Sequence, residues 1–244
     1  MKNRLFSILL AFSLFSCSND DNVNNTENNH LKGKLKIVES TDSYTDDNGN
    51  PFEFTTKSIY EYDSEGYLIK RHRTEADGAH YATYFYYEGS KLIQEKSTLN
   101  ETEFQKIQYE YSGDLIVKST ANNENNTYVT LYTYNSLNEM IKLEGLAADG
   151  SVSREEKFEY LNGNMVKKMF KLSNGSYHTY TYEFDNKNNP YQTAFVPANL
   201  KIDFFRGPNN LTNRDGSILT YEYNDQNFPT KVTENGYETR YLYY

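Results

Sequence analysis

Along most of the chain, apolar and polar residues alternate with a period of two. The clearest carriers are aromatic–x–aromatic steps: Tyr60/Tyr62, Tyr84/Tyr86, Tyr109/Tyr111, Tyr132/Tyr134, Phe158/Tyr160, Tyr182/Phe184, Tyr221/Tyr223 and Tyr241/Tyr243. The first six start 24, 25, 23, 26 and 24 residues apart, then come one gap of 39 and one of 20. A recurring period of this size marks a repeat protein, in which one unit cannot bury its apolar face alone.

The residues after each aromatic step predict the unit. After Tyr60-Glu61-Tyr62 come Asp63-Ser64-Glu65-Gly66 and then Tyr67-Leu68-Ile69-Lys70. Asp offers its side chain to a turn, and Gly three residues later supplies a positive φ. Apolar pairs recur at Leu68-Ile69, Leu92-Ile93, Ile116-Val117, Met140-Ile141 and Met165-Val166. A Lys or Gln column runs just after them: Lys70, Gln94, Lys118, Lys142, Lys167, Gln192 and Lys231. Each unit therefore reads as an antiparallel β-hairpin. No apolar stripe of helical period persists.

The fold class is all-β, with about 16 short strands in up-and-down order. That many strands curl rather than stay flat, which predicts a long curved sheet, a β-spiral or an open barrel. The last strand, near residues 241–244, has a candidate partner in residues 35–39, and their pairing would close a barrel. The middle residue of several aromatic steps is acidic: Glu61, Glu110, Glu159, Glu183 and Glu222. If these share a face with the Lys column, Glu–Lys ladders form; turn register decides this, and the sequence leaves it open.

Tyr62-Asp63-x-x-Gly66-x-Leu68 resembles the YD (RHS-type) repeat, Tyr-Asp-x-x-Gly-Arg-Leu, with Phe184-Asp185 and Tyr223-Asn224 as weaker echoes and the Arg absent throughout. The layout looks like that of YD-repeat-like surface lipoproteins of Bacteroidetes-type bacteria. In large RHS proteins the repeats wind into a shell around a toxin. Seven or eight hairpins are too few for that, and the function is not carried over.

Residues 1–16 read as a lipoprotein signal peptide. Lys2 and Arg4 form the basic end, and residues 5–15 an apolar core too short to span a bilayer. Leu14-Phe15-Ser16-Cys17 resembles a bacterial lipobox, although Phe15 departs from its usual small residue. Cys17 is the sole cysteine, which excludes an internal disulfide and marks the lipidation site. Ser18, Asn19, Asp20 and Asp21 resemble the acidic export signal that sends such lipoproteins to the outer face of the outer membrane. Residues 17–30 read as the lipidated Cys plus a disordered tether, and 31–244 as one repeat domain. The net charge of −9 argues against nucleic acid as a partner.

No catalytic motif, nucleotide loop or metal signature occurs, so the expectation is a non-enzymatic protein without cofactor or metal. His72 and His80 flank one hairpin connection without metal-ligand spacing. Asp46-Asp47-Asn48-Gly49-Asn50 lacks the length and terminal Glu of a calcium loop and reads as a turn. Residues 190–215 hold three of the five prolines and interrupt the repeat. Phe204, Phe205 and neighbouring apolar residues are expected to pack over the sheet or plug one end. The leading expectation is a surface lipoprotein that binds protein or glycan through a Tyr-rich face: Tyr60, Tyr62, Tyr84, Tyr86, Tyr109, Tyr111, Tyr132 and Tyr134, with Phe204 and Phe205. The alternative is a periplasm-facing structural or assembly lipoprotein.

Overall fold

The computed structural model describes residues 29–45, 49–194 and 207–244. In chain order the strands are β1 (Leu35–Thr45), β2 (Pro51–Tyr62), β3 (Leu68–Thr74), β4 (His80–Glu88), β5 (Lys91–Leu99), β6 (Thr102–Ser112), β7 (Leu115–Asn123) and β8 (Thr127–Tyr134). They continue as β9 (Met140–Leu146), β10 (Val152–Leu161), β11 (Asn164–Lys171), β12 (Tyr177–Phe184), β13 (Leu211–Arg214), β14 (Ser217–Tyr223), β15 (Pro229–Glu234) and β16 (Tyr237–Tyr243). A short helix, α1 (Pro190–Ala194), interrupts them. Each strand pairs antiparallel with its sequence neighbours, and β1 pairs with β16 to complete a closed barrel. Of the arrangements expected, closure by the last strand on residues 35–39 is the one realised, through Val38↔Tyr241 and Glu39↔Arg240. Closure leaves no sheet edge exposed.

The hairpins define two ends. At one, here the base, Asp63 Oδ1 accepts from the amides of Glu65 (2.9 Å) and Tyr67 (2.8 Å), and Gly66 sits at φ 83°. Asn135 and Asn224 build the same loop between β8 and β9 and between β14 and β15. Both chain ends of the barrel also lie at the base, where Gly33 N donates to the Tyr244 carbonyl (3.2 Å). The opposite end, the mouth, carries the β3–β4, β5–β6, β7–β8, β9–β10, β11–β12, β13–β14 and β15–β16 turns.

A register shift accompanies the base hairpins, as between Glu61↔Lys70 and Tyr62↔Leu68, where Ile69 is the extra residue. The same shift recurs at Tyr86/Tyr87, Glu110/Tyr111, Thr133/Tyr134 and Glu159/Tyr160. It brings Leu68, Leu92, Ile116, Met140 and Met165 inside the barrel, buried, and turns Ile69, Ile93 and Ile141 outward. It also places the Glu and Lys columns opposite one another on the outer face. Ion pairs join Glu61–Lys70 (3.3 Å), Glu110–Lys118 (2.7 Å), Glu159–Lys167 (2.9 Å) and Glu222–Lys231.

The core lies inside the base half of the barrel. Leu35, Val38, Tyr60, Leu68, Phe85, Leu92 and Ile116 form one cluster, lined by Tyr62, Tyr87, Tyr109, Tyr111, Tyr132, Tyr241 and Tyr243. A second joins Met140, Leu143, Phe158 and Met165. The second aromatic of most steps also carries a recurring hydrogen bond. Its hydroxyl donates to the backbone carbonyl at the start of the preceding strand: Tyr62 to Leu35 (2.7 Å), Tyr87 to Leu68 (3.0 Å), Tyr111 to Leu92 (2.9 Å) and Tyr134 to Ile116 (2.8 Å). Tyr243 donates likewise to Pro229 (2.7 Å), and on β14 it is the first aromatic of the step, Tyr221, that donates to Leu211 (2.7 Å). Between β3 and β4 the ladder begins at Lys70↔Tyr84, between β5 and β6 at Gln94↔Gln108, and between β7 and β8 at Lys118↔Leu131. The tyrosine hydroxyl thus serves a carbonyl two residues beyond the end of that backbone ladder.

The repeat is broken by residues 185–210, not 190–215. Residues 211–214 are strand β13, whose turn to β14 is made by Asp215-Gly216. Helix α1 plugs the base. Ala194 of α1 is fully buried in the main core cluster, and the Tyr191 ring meets Tyr241 edge-on at 6.2 Å. Gln192 lies on α1 and is not part of the Lys/Gln column. Asparagines tie the plug down. Asn189 Oδ1 accepts from the Tyr191 amide (2.9 Å), and its Nδ2 donates to the Gly207 carbonyl (2.9 Å). Asn164 Nδ2 donates to Asn209 Oδ1 (2.9 Å). A Cβ on Gly207 would stand 2.8 Å from Asn164 Oδ1, so a larger residue there would push the Asn164 side chain off its bonds to Asn209.

Candidate functional site

Alternation carries the inner face upward from the aromatic base to a polar mouth. On β3, Arg71 pairs with Tyr60 and Arg73 with Ser58, both inward positions; on β4, Thr83 and Tyr81 face the same way. Ser97 continues the wall on β5, with its hydroxyl 3.2 Å from that of Thr83. Two cavities open against this wall and share Arg73. One, of about 250 Å³, is lined by Arg71, Arg73, Tyr81, Thr83, Ser97 and Phe104. The other, of about 350 Å³, is lined by Ser40, Thr56, Ser58, Arg73, Glu75 and Thr239. A third, of about 200 Å³, lies over the plug between Tyr191, Tyr221 and Glu234.

The charges of the mouth are mostly compensated. Glu156, itself buried, bonds Arg154 Nε (2.8 Å) and Lys168 Nζ (2.9 Å). Glu234 holds Arg214 (2.7 Å) and accepts from the Ser217 hydroxyl (2.8 Å). Glu95 accepts from the Tyr109 hydroxyl (2.7 Å). Arg73 shares its Nε with Glu75 (2.8 Å) and places its guanidinium 5.4 Å from the Tyr81 ring centre. Tyr81 in turn meets Phe104 edge-on at 6.4 Å. Arg71 makes no ion pair among the described residues, and it is exposed to the barrel interior. Its field reaches the plug. Burial pushes the Tyr191 hydroxyl well above its usual range, neighbouring Tyr241 and Tyr60 add to that, and Arg71 opposes it.

The Tyr-rich binding face expected from the sequence is not a face of the protein's exterior. Tyr60 is buried, and Tyr62, Tyr109, Tyr111, Tyr132 and Tyr134 line the inside of the base. Tyr84 and Tyr86 belong to the other face: Tyr84 lies under Lys70 (5.8 Å), and Tyr86 is 42% exposed. The inward pair of that unit is Phe85/Tyr87, one residue later, because a two-residue turn, Gly89-Ser90, replaces the longer loop of the first unit. Cys17, Ser18, Asn19, Asp20, Asp21, Phe204 and Phe205 lie outside the described residues, as do residues 46–48 of the acidic turn. His72 and His80 do meet, with rings 5.6 Å apart, but on the outer face, where His72 Nε2 bonds Glu61 (2.9 Å). Burial and the neighbouring Lys70 lower the pKa of His72. Among the described residues no group of His, Cys, Asp and Glu is arranged to hold a metal. The inward arginines escaped the sequence reading, although Arg71-His72-Arg73 itself shows the alternation that places both on one face.

Among the described residues no helix is long and apolar enough to cross a membrane, which says nothing about strands. The outer face of the wall bears the Glu–Lys ladders, together with Lys57–Glu39 (2.7 Å), Lys96–Glu103 (3.0 Å) and Lys142–Glu144 (2.6 Å). No family model matches the sequence, and no curated protein does. Among solved structures, a porin-like protein from Bacteroides uniformis is similar over 87% of this chain and 98% of its own, at 15% identity and a TM-score of 0.57. A porin-like protein from Bacteroides vulgatus matches 86% of this chain and 98% of its own at 12% identity, but its TM-score of 0.35 carries no argument. The first likeness establishes the shared architecture: an all-β chain whose antiparallel strands close into a barrel.

Proposed function

We propose that the protein is a non-enzymatic barrel of the outer membrane, tethered by lipid on Cys17, that binds a polar partner at its mouth and does not conduct through the bilayer. The observation that carries this reading is the division of the wall into an ionic outside and an aromatic, plugged base. A barrel that spans a membrane presents an outward apolar band roughly 25 Å tall. Here the corresponding surface carries rows of paired Glu and Lys, each of which would have to be desolvated in lipid. The porin-like likeness supports the envelope as the setting, and the lipobox supports the means of attachment.

On this reading the tether also sets an orientation: residue 29 lies at the base, so a tether from Cys17 would join that end and leave the mouth directed away from the membrane. Fractionation of cells carrying Cys17→Ser tests the reading. The variant is expected to lose fatty-acid label and to leave the membrane fraction while keeping its β spectrum. Retention in the membrane, or ion conductance of the purified barrel in a planar bilayer, would overturn it. Protease added to intact cells, with Asp20 and Asp21 replaced by Ala in parallel, distinguishes display at the surface from a periplasm-facing scaffold.

A further inference from the structure

We infer that Arg71 and Arg73 form a binding site for a carboxylate-bearing saccharide inside the mouth of the barrel. The inference rests on the reading of the mouth as the binding end, and it names the ligand class.

Two guanidinium groups at positions i and i+2 of one strand share a face and repel. Among the described residues the one ion pair that either arginine makes is Arg73–Glu75. Arg71 stands exposed to the interior beside a cavity of about 250 Å³, in a chain whose net charge is −9. An anion arriving there relieves the repulsion and finds a planar, five-donor fork that fits a carboxylate in a bidentate manner. Arg73 is already oriented by Glu75 and by the Tyr81 ring, so little side-chain freedom is lost at that half of the site.

The rest of the wall selects a sugar over a bare anion. Thr83 and Ser97 present hydroxyls beside the arginines, and Ser58 and Thr56 present them across Arg73 in the adjoining cavity. Tyr81 and Phe104 supply a flat apolar wall on the same side. Hydroxyl groups that donate and accept, next to aromatic faces, suit a polyhydroxylated ring with one apolar side. The cavities lie near the lower end of the size range of ligand pockets, roughly 300–1,000 Å³, which fits one or two sugar rings.

The test is isothermal titration of the purified barrel, residues 17–244 with Cys17→Ser, with trigalacturonate, the neutral trisaccharide galactotriose, and sodium sulfate. Trigalacturonate is expected to bind, and the neutral sugar to bind at least tenfold more weakly. Arg71→Gln is expected to weaken binding at least tenfold. Arg71→Lys, which keeps the charge and loses the fork, should fall between the two. Arg240→Gln, on the outer face, should bind like wild type, and thermal melting confirms that each variant is folded. Absence of binding, equal binding by Arg71→Gln, or equal binding of galactotriose would each overturn the site. Sulfate that displaces the sugar at equal concentration would reduce it to a general anion site and overturn the saccharide assignment. None of these outcomes depends on Cys17, so failure here leaves the tethering proposal standing.

Discussion

The base and the mouth are built from the same strands, yet they obey different rules. At the base, Leu68, Leu92 and Ile116 are buried to 0–1% exposure, and tyrosine hydroxyls serve the carbonyls that the ladder leaves behind. A few residues further along the same strands, the inward positions become Arg71, Arg73, Ser97, Arg154 and Glu156. A barrel needs one dry, close-packed storey to set its shape; above that storey the wall is free to carry charge. Stability should therefore concentrate at the base and specificity at the mouth.

Truncation separates the two storeys most sharply. Leu68→Ala at the base should cost about 2–5 kcal/mol in denaturant titration, through lost burial and the cavity it leaves. Ser97→Ala in the mouth wall should change stability by less than about 0.5 kcal/mol. Similar costs for both would show that the wall is one uniform core.

Alkaline titration addresses the base as a whole. Burial raises the hydroxyl pKa of Tyr134 to about 12 and likewise that of Tyr182, while Tyr62, Tyr87, Tyr221 and Tyr243 are raised further still. In the unfolded chain these hydroxyls ionise near pH 10. Above that pH the unfolded state loses protons that the folded state keeps, so the stabilisation present below pH 10 declines as pH rises toward and beyond 12. Denaturant midpoints should fall across that window, and absorbance should show tyrosinate appearing together with unfolding. Ionisation of these six hydroxyls near pH 10 in the folded barrel would contradict the dry base.

The hydroxyl set contains its own control. Tyr111→Phe and Tyr87→Phe leave a buried carbonyl without its donor and should cost about 1–3 kcal/mol each. Tyr160 occupies the equivalent place on β10, yet its buried hydroxyl has no partner. Tyr160→Phe should be neutral or slightly stabilising. The smallest effect belongs to the outside: Lys118→Ala, which breaks the exposed pair with Glu110, should cost at most about 0.5 kcal/mol and less in high salt.

The strands were legible in the sequence because aromatic steps and turn residues recur together; Asp63 and Gly66 do in the structure what their types predict. The phase of the second unit was not. Tyr84-Phe85-Tyr86-Tyr87 is aromatic at every position, so alternation cannot choose a face, and the short turn at Gly89-Ser90 decides it. The Glu–Lys register was hidden for a related reason: it depends on the extra residue at Ile69, a feature of backbone geometry rather than composition. The plug was legible as an apolar interruption, but its boundary was not, because Leu211-Thr212-Asn213-Arg214 is too short a strand to announce itself beside Pro208. The arginine pair depended on the same hidden bulge for its facing.

Ring closure has a consequence for how the barrel assembles. Most of the wall joins neighbours in sequence: the Tyr87 bond to Leu68 spans 19 residues, and that of Tyr111 to Leu92 the same. The seam is different, since Ser40 and Thr239 meet across 199 residues. Hairpins can therefore accrete one upon another at low entropic cost, while the seam waits for the final strand and closes the whole loop at once. Until then β1 and β16 offer bare edges to any other chain, so seam closure is expected to be slower than hairpin formation and to end the exposure of those edges.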